Sequence, residues 1–417
     1  IVIGHLNLLD AAFTFWLTAA VLAFTLAQGE AERSAAERRW MLAAWALAAL
    51  AVLSKGIVVG VLAGAALTLY SLIERDLRPW RRLHAAAGVP LFLLIAAPWF
   101  ILVSLRNPSF PAFFFVHEHF ARFLTTVHQR VEPWWYFLPL LLIGVSPWLL
   151  PLVRASRTAW RGGTLPNAAG SAFRPLRFLV LYAGLTLAFF SVSGSKLAPY
   201  IMPMFPALAA LAGAGGAEPL GVARQAARIG AGIVVVVAGG LLIYSGYRNN
   251  FVPQAALAWA VAGCAAALVA AASSFLPRLT PVAAVLVTAV GASLAWQSLM
   301  CAYTATPPSR SARDLARAVQ PFVGAATPLY SVGQYRETLS PYLGRTLRLA
   351  GYEGELRFGL DAEPAKRLTV PQFAANWSAG GEAVAFFDPG VWDACRRQGL
   401  PGRVIAADNY TVAVSRL

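Results

Sequence analysis

The chain has 417 residues, 58% of them hydrophobic and only 13% charged, with a mean hydropathy of +0.60 and a formal charge of +15. Soluble proteins carry about a quarter charged residues, so this sequence has too little polar surface to cover a soluble core of its size. The excess positive charge does not point to nucleic acid, because much of it sits in short loops between apolar runs. There it serves topology and contacts with anionic lipid.

A helix crosses the hydrocarbon layer with roughly 20 apolar residues. Runs of that kind predict spans near 7–28, 40–54, 56–73, 87–105, 134–153, 177–192, 196–214, 229–247, 255–275 and 281–303. The fold class is therefore a polytopic α-helical membrane protein with about ten spans. The second and sixth are short, and each turns tightly into its successor, at Lys55-Gly56 and at Ser193-Gly194-Ser195-Lys196. With the first span running from outside to inside, the inner loops and Arg177 hold 15 Lys/Arg, against six in the outer loops before residue 304. The positive-inside bias then fixes the orientation, placing Asp10, Lys55, residues 106–133, Lys196 and everything after 303 at the outer face. The first residue is Ile and no signal-peptide pattern is visible, so the expectation is a fragment lacking an N-terminal portion.

Beyond residue 303 the composition changes. Thr306 to Arg310 reads as a linker, and short β-like runs (Leu329–Val332, Thr346–Leu349, Ala383–Phe387, Val404–Ala407, Tyr410–Val414) then alternate with helical ones. This predicts a small α/β domain at 304–417, more apt as a cover or docking module than as a catalytic unit. Cys264, Cys301 and Cys395 make no disulfide framework.

Ionisable residues at membrane depth are costly and usually functional. Asp10 stands alone at the outer end of the first span, either as a helix N-terminal acid favoured by the dipole or as an active-site carboxylate. The chain has three lysines beside 31 arginines, and Lys55 and Lys196 both fall at outer-face turns among small residues. A compact point charge there suits a phosphate; snorkelling to the interface is the alternative. The segment Val116-His117-Glu118-His119-Phe120-Ala121-Arg122-Phe123 follows an aromatic stretch and predicts a helix lying on the membrane. His117 and Glu118 are suitable ligands for a divalent cation, and Arg122 for a phosphate, although a Glu118–Arg122 pair accounts for both structurally.

Six segments in order resemble the bacterial members of the group containing protein O-mannosyltransferases and lipid A aminoarabinose transferases, glycosyltransferase family 39. They are Asp10 opening a span, Leu53-Ser54-Lys55-Gly56, Ala97-Pro98-Trp99-Phe100, Phe114 through Phe123, Pro133-Trp134-Trp135-Tyr136 and Ser195-Lys196-Leu197-Ala198-Pro199-Tyr200. The resemblance implies a membrane glycosyltransferase of GT-C fold in the bacterial inner membrane, with a periplasmic C-terminal domain. Its donor would be a sugar on undecaprenyl phosphate, not a nucleotide sugar, and its acceptor lipid A or another envelope molecule. By motif position Lys55 and Arg122 hold the carrier phosphate with Lys196 as a helper, and Asp10 is one of two acids near the reacting centre, the other lying upstream. His117, with Glu118 adjacent, would hold a divalent cation (Zn, Mg or Mn), and no nucleotide cofactor is implied. The rival within the class is a protein O-mannosyltransferase; outside it stand a lipid or sugar transporter and a non-catalytic scaffold.

Overall fold

The computed structural model describes residues 9–121, 132–145, 148–161, 173–214, 219–249, 251–273, 276, 280–306 and 311–416. It divides into two compact units, Ile1–Tyr303 and Thr304–Leu417.

The first unit is helical. It begins with α1 (Leu9–Gly29), α2 (Ala35–Lys55), α3 (Val58–Glu74), the single turn α4 (Arg78–Arg81) and α5 (Ala85–Arg106). A π-helical segment, Ala112–Ala121, follows, then α6 (Phe137–Val145), α7 (Leu149–Trp160), α8 (Pro175–Val192), a 3₁₀ turn (Ala198–Ile201) and α9 (Met204–Ala214). It ends with α10 (Pro219–Asn249), α11 (Gln254–Ser273) and α12 (Pro281–Thr304). Among the described residues, six helices are long and apolar enough to cross a membrane: α1, α5, α8, α11 and the apolar parts of α10 and α12. The chain is a multi-span membrane protein.

Two predicted spans differ from continuous helices. The stretch 134–153 is divided between α6 and α7, and 196–214 between the 3₁₀ turn and α9. Proline explains both. Inside a helix it removes a hydrogen bond and collides with the preceding turn, whereas in the first turn its missing N–H costs nothing. Pro151 and Pro206 each fall in the first turn of the new helix, and Pro199 in the 3₁₀ turn. The expected surface helix around His117 is instead a π-helix, which re-phases its side chains relative to a 3.6-residue spiral.

The ends of α1 and α2 opposite Asp10 are tied by one guanidinium. Arg82, nine-tenths buried, donates from Nε to Glu37 Oε1 at 3.0 Å. Its Nη atoms donate to the carbonyls of Gln28 (3.0 Å), Ala27 (2.9 Å) and Glu30 (2.7 Å). These are orphan acceptors at the C-terminus of α1, where a cation also suits the helix dipole. Ser34 caps α2 by accepting from the Glu37 amide at 3.0 Å. A second pair, Arg177 with Glu74, joins α8 to α3.

The second unit is an α/β domain. Strands β1 (Leu329–Val332), β2 (Arg348–Ala350), β3 (Arg367–Leu368), β4 (Ala383–Phe387), β5 (Arg403–Ala407) and β6 (Val412–Arg416) form one sheet in the order β3-β2-β1-β4-β6-β5. The first four run parallel, and β6 is antiparallel to both β4 and β5. Every residue of β1 and β4 is buried, as expected for parallel strands covered on both faces. One face packs Leu329, Val384 and Phe386 under a short helix at Arg313–Val319. The other packs Tyr330, Phe387, Phe373 and Trp377. β3, two residues long, carries no apolar run and was not expected from the sequence.

Candidate active site

Asp10, in the first turn of α1, and Lys55, the last residue of α2, form an ion pair between neighbouring helices. Lys55 is released there by Gly56, whose φ of 85° and ψ of −156° suit only glycine. The Gly56 amide donates to the Val52 carbonyl at 2.7 Å, so the helix stops cleanly with the lysine at its rim. Lys55 Nζ also lies 5.3 Å from the centroid of the Phe13 ring and 4.5 Å from that of Tyr200. Both fall within the roughly 6 Å range of cation–π attraction. One carboxylate and two aromatic faces therefore hold this ammonium in a fixed position.

Tyr200 comes from the 3₁₀ turn that follows the Ser193-Gly194-Ser195-Lys196 loop. In that loop Lys196 Nζ donates to the Ser193 carbonyl at 2.7 Å, and Lys196 is only 7% exposed. An ammonium has three protons to donate, and no other partner for it is present among the described residues. Ser195 Oγ is also buried without a hydrogen-bond partner among them. Buried donors left unsatisfied are costly, so this loop is built to receive acceptor atoms.

His117 Nδ1 stands 3.3 Å from Glu118 Oε1, and its ring stacks on Phe113 with centroids 5.6 Å apart and planes 13° off parallel. In type and separation the two donors fit a divalent cation. In number they fall short, since no group of three His, Cys, Asp or Glu occurs among the described residues. Arg122, the other expected phosphate ligand, lies outside the described residues.

A cavity of about 600 Å³ runs beside this site. Its wall includes Val52 and Ile57, next to Lys55, and Phe115, two residues before His117. It continues past Leu17, Gly64 and Phe92 to Trp80 and Leu83, beside Arg82. The wall is almost wholly apolar, and Lys55 stands two residues from Ile57 and three from Val52 in the chain without itself lining it. Such a cavity has the lining to accept a long hydrocarbon.

The sequence named Asp10 and Lys55 singly but not as a pair, and assigned no role to Phe13 or Tyr200. The pairing had a signal. Asp10 opens one 21-residue helix and Lys55 closes the next, so a hairpin of equal arms returns the lysine to the acid's level.

The sequence matches two families. Residues 1–114 match the family described as dolichyl-phosphate-mannose-protein mannosyltransferase, and residues 315–416 that described as aminoarabinose transferase C-terminal domain. An undecaprenyl phosphate-alpha-4-amino-4-deoxy-L-arabinose arabinosyl transferase of Pseudomonas paraeruginosa is 38% identical over 216 residues, 50% of this chain and 36% of the relative. Another so named, from Aeromonas salmonicida, is 33% identical over 54% of this chain and 40% of its own length. The match thus spans well under half the length of these curated relatives. The crystal structure of ArnT from Cupriavidus metallidurans bound to undecaprenyl phosphate superposes on the whole chain with a TM-score of 0.83 and 32% identity, covering 76% of that structure. Its apo state gives a TM-score of 0.82 at 31% identity.

Proposed function

The chain belongs to the membrane glycosyltransferase family of the aminoarabinose transferases, and from that premise we propose that the protein transfers a sugar from undecaprenyl phosphate to an envelope acceptor, lipid A foremost, at the periplasmic face of the inner membrane. The observation that carries this reading is the long apolar cavity whose wall includes Val52 and Ile57, close in the chain to the ion-paired Lys55. The relatives are named for 4-amino-4-deoxy-L-arabinose on undecaprenyl phosphate, so that donor is the one to supply first. The match to an aminoarabinose transferase C-terminal domain favours this over protein mannosylation.

In this reading the polyprenyl chain occupies the cavity and its phosphate meets Lys55. The ammonium has protons for both Asp10 and a phosphate oxygen, and the Phe13 and Tyr200 faces keep it in place as the phosphate arrives. Lys196 and Ser195 supply the unused buried donors of the neighbouring loop, and Arg122 adds a bidentate cation. When the bond from the anomeric carbon to the phosphate oxygen breaks, negative charge grows on the departing lipid phosphate. Fixed cations stabilise that charge more in the transition state than in the ground state, which lowers the barrier. The acceptor attacks from the opposite face of the sugar, with inversion. Asp10 takes the proton if the acceptor is a hydroxyl; a phosphate acceptor needs no base, and Asp10 then orients Lys55. His117 and Glu118 would hold a divalent cation only with further ligands from outside the described residues.

The test uses full-length protein in detergent with undecaprenyl phosphate-linked sugars, following release of undecaprenyl phosphate. Lys55→Ala is expected to lower turnover about 100-fold, the effect of removing one donor to a developing anion, while the protein stays folded. Near-normal release by Lys55→Ala and Arg122→Ala alike would sink the phosphate-cradle reading.

A further inference from the structure

A second cavity, about 240 Å³, lies apart from the donor site, walled by Trp148, Ala227, Ala231, Ala270, Thr288 and Trp296. It is enclosed by the end of α6, the start of α7, and α10, α11 and α12. Small residues create it. Gly263 approaches the Ala295 carbonyl so closely that an added Cβ would lie 3.0 Å away, and an added Cβ on Gly291 would lie 2.3 Å from the Ala270 methyl. These contacts bring α11 and α12 close together, while Ala227 and Ala231 of α10 and Ala270 of α11 leave the space between the helices empty. An apolar cavity of about 150 Å³ stays dry and takes up benzene; this one is larger and surrounded by membrane-spanning helices, so its competing occupant is a lipid chain.

The charges carried by α7 are all positive. The stripe of α10 that lines the cavity continues from Ala227 to Arg224, one turn and about 5 Å further toward the helix start. Trp148 caps α7, which then carries Arg154, Arg157 and Arg161, all exposed and at spacings that share one helix face. At 1.5 Å per residue Arg154 stands about 9 Å along the helix from Trp148. None of these three has an acidic partner among the described residues, and residues 133–217 contain no Asp or Glu at all. The nearby Arg174 and Arg177 already use Glu74. Trp160, half exposed beside them, is an interfacial anchor.

We propose that this cavity holds one acyl chain of an anionic phospholipid from the basic-loop side of the membrane, with its phosphodiester on the arginines of α7. The site is separate from the reaction and does not depend on its reading. The phosphate oxygens accept from guanidinium donors, which match them in shape and charge, and the chain replaces a void that bilayer lipid would otherwise have to leave empty.

The experiment measures the thermal midpoint of full-length, delipidated protein in mixed micelles of phosphatidylglycerol or phosphatidylcholine, or with inorganic phosphate alone. Phosphatidylglycerol is expected to raise Tm by about 5 °C more than phosphatidylcholine, and phosphate alone to leave it unchanged. The surface variant Arg154→Gln/Arg157→Gln/Arg161→Gln and the cavity-filling variant Ala231→Leu are each expected to abolish the difference. Should Ala231→Leu fail to fold, retention of one phosphatidylglycerol by the unmodified protein, read by native mass spectrometry and lost in the arginine variant, carries the test. Equal shifts with both lipids, the same shift with inorganic phosphate, or a full shift surviving in folded Ala231→Leu would each overturn the assignment.

Discussion

Arg82 spends four of its five donors on three α1-end carbonyls and on Glu37, inside a region that excludes water. Removing one partner of a buried pair leaves the other charge unsatisfied, at a cost of about 3–5 kcal/mol. Arg82→Ala is therefore expected to lower the thermal midpoint of the detergent-solubilised protein steeply. Arg82→Lys is expected to recover little, because an ammonium cannot reach the same set of acceptors. Its role escaped the sequence reading, where Arg82 counts as one more inner-loop cation; only the approach of α1's end to α4 reveals its partners. Arg416 does comparable work in the second unit, donating to the carbonyls of Asn376, Trp377, Gly380 and Gly381 at the end of the helix Val370–Ser378. Arg416→Ala is expected to speed amide exchange across residues 370–381 before any other part of that domain. Cys395 is half-buried, and burial pushes its thiol above the ordinary value because it disfavours the thiolate. Its alkylation rate is accordingly expected to reach half-maximum at a higher pH than that of an exposed thiol, about 8.5.

At the scale of elements, the working parts are helix ends. Gly56 allows α2 to stop in one residue, and its backbone conformation is open to glycine alone. Gly56→Ala is expected to cost about 1–3 kcal/mol of local strain and to relieve it by turning Lys55 away from Asp10, so release of the lipid carrier should fall while the protein stays folded. A thermal midpoint that drops sharply while activity per folded molecule stays constant would contradict this. The turn was legible beforehand, since Ser54-Lys55-Gly56 separates two apolar runs. The broken helices were not. A hydropathy window averages over a proline, whereas at Pro151 and Pro206 the backbone begins a new helix (Pro98, by contrast, is carried inside α5), so 134–153 and 196–214 each read as one span. The π-helix around His117 was hidden for a similar reason, because side-chain spacing in sequence does not disclose a five-residue hydrogen-bond step. In the sheet, β1 and β4 announced themselves as continuous apolar runs, while β3 exists only through its pairing with β2.

Across the whole molecule, two consequences of one fold were unequally visible. Composition alone requires a membrane domain, and the change after residue 303 marks a second unit. The cavities depend on residues that are simply small, and the sequence gives no sign of whether an alanine or glycine permits close packing or leaves a void. Gly64 on α3 settles one such case: it lines the donor cavity, and an added Cβ there would meet nothing within 4 Å. Gly64→Phe therefore starts its side chain into the cavity without a clash at Cβ, and the fold should tolerate it. Under the proposed function, what the ring displaces is the polyprenyl chain whose phosphate Lys55 would hold. The KM for an undecaprenyl-linked donor is expected to rise by roughly tenfold or more, the scale of discrimination that a few methylenes give in an apolar pocket. A donor carrying the same sugar on a two-isoprene phosphate should not reach the ring, and its kcat/KM should be unchanged. Equal losses for long and short donors would mean that the substitution acts on the reacting centre instead, and would remove the cavity from the binding path. A loss confined to the long donor would place the hydrocarbon there and leave the chemistry at the ends of α1 and α2.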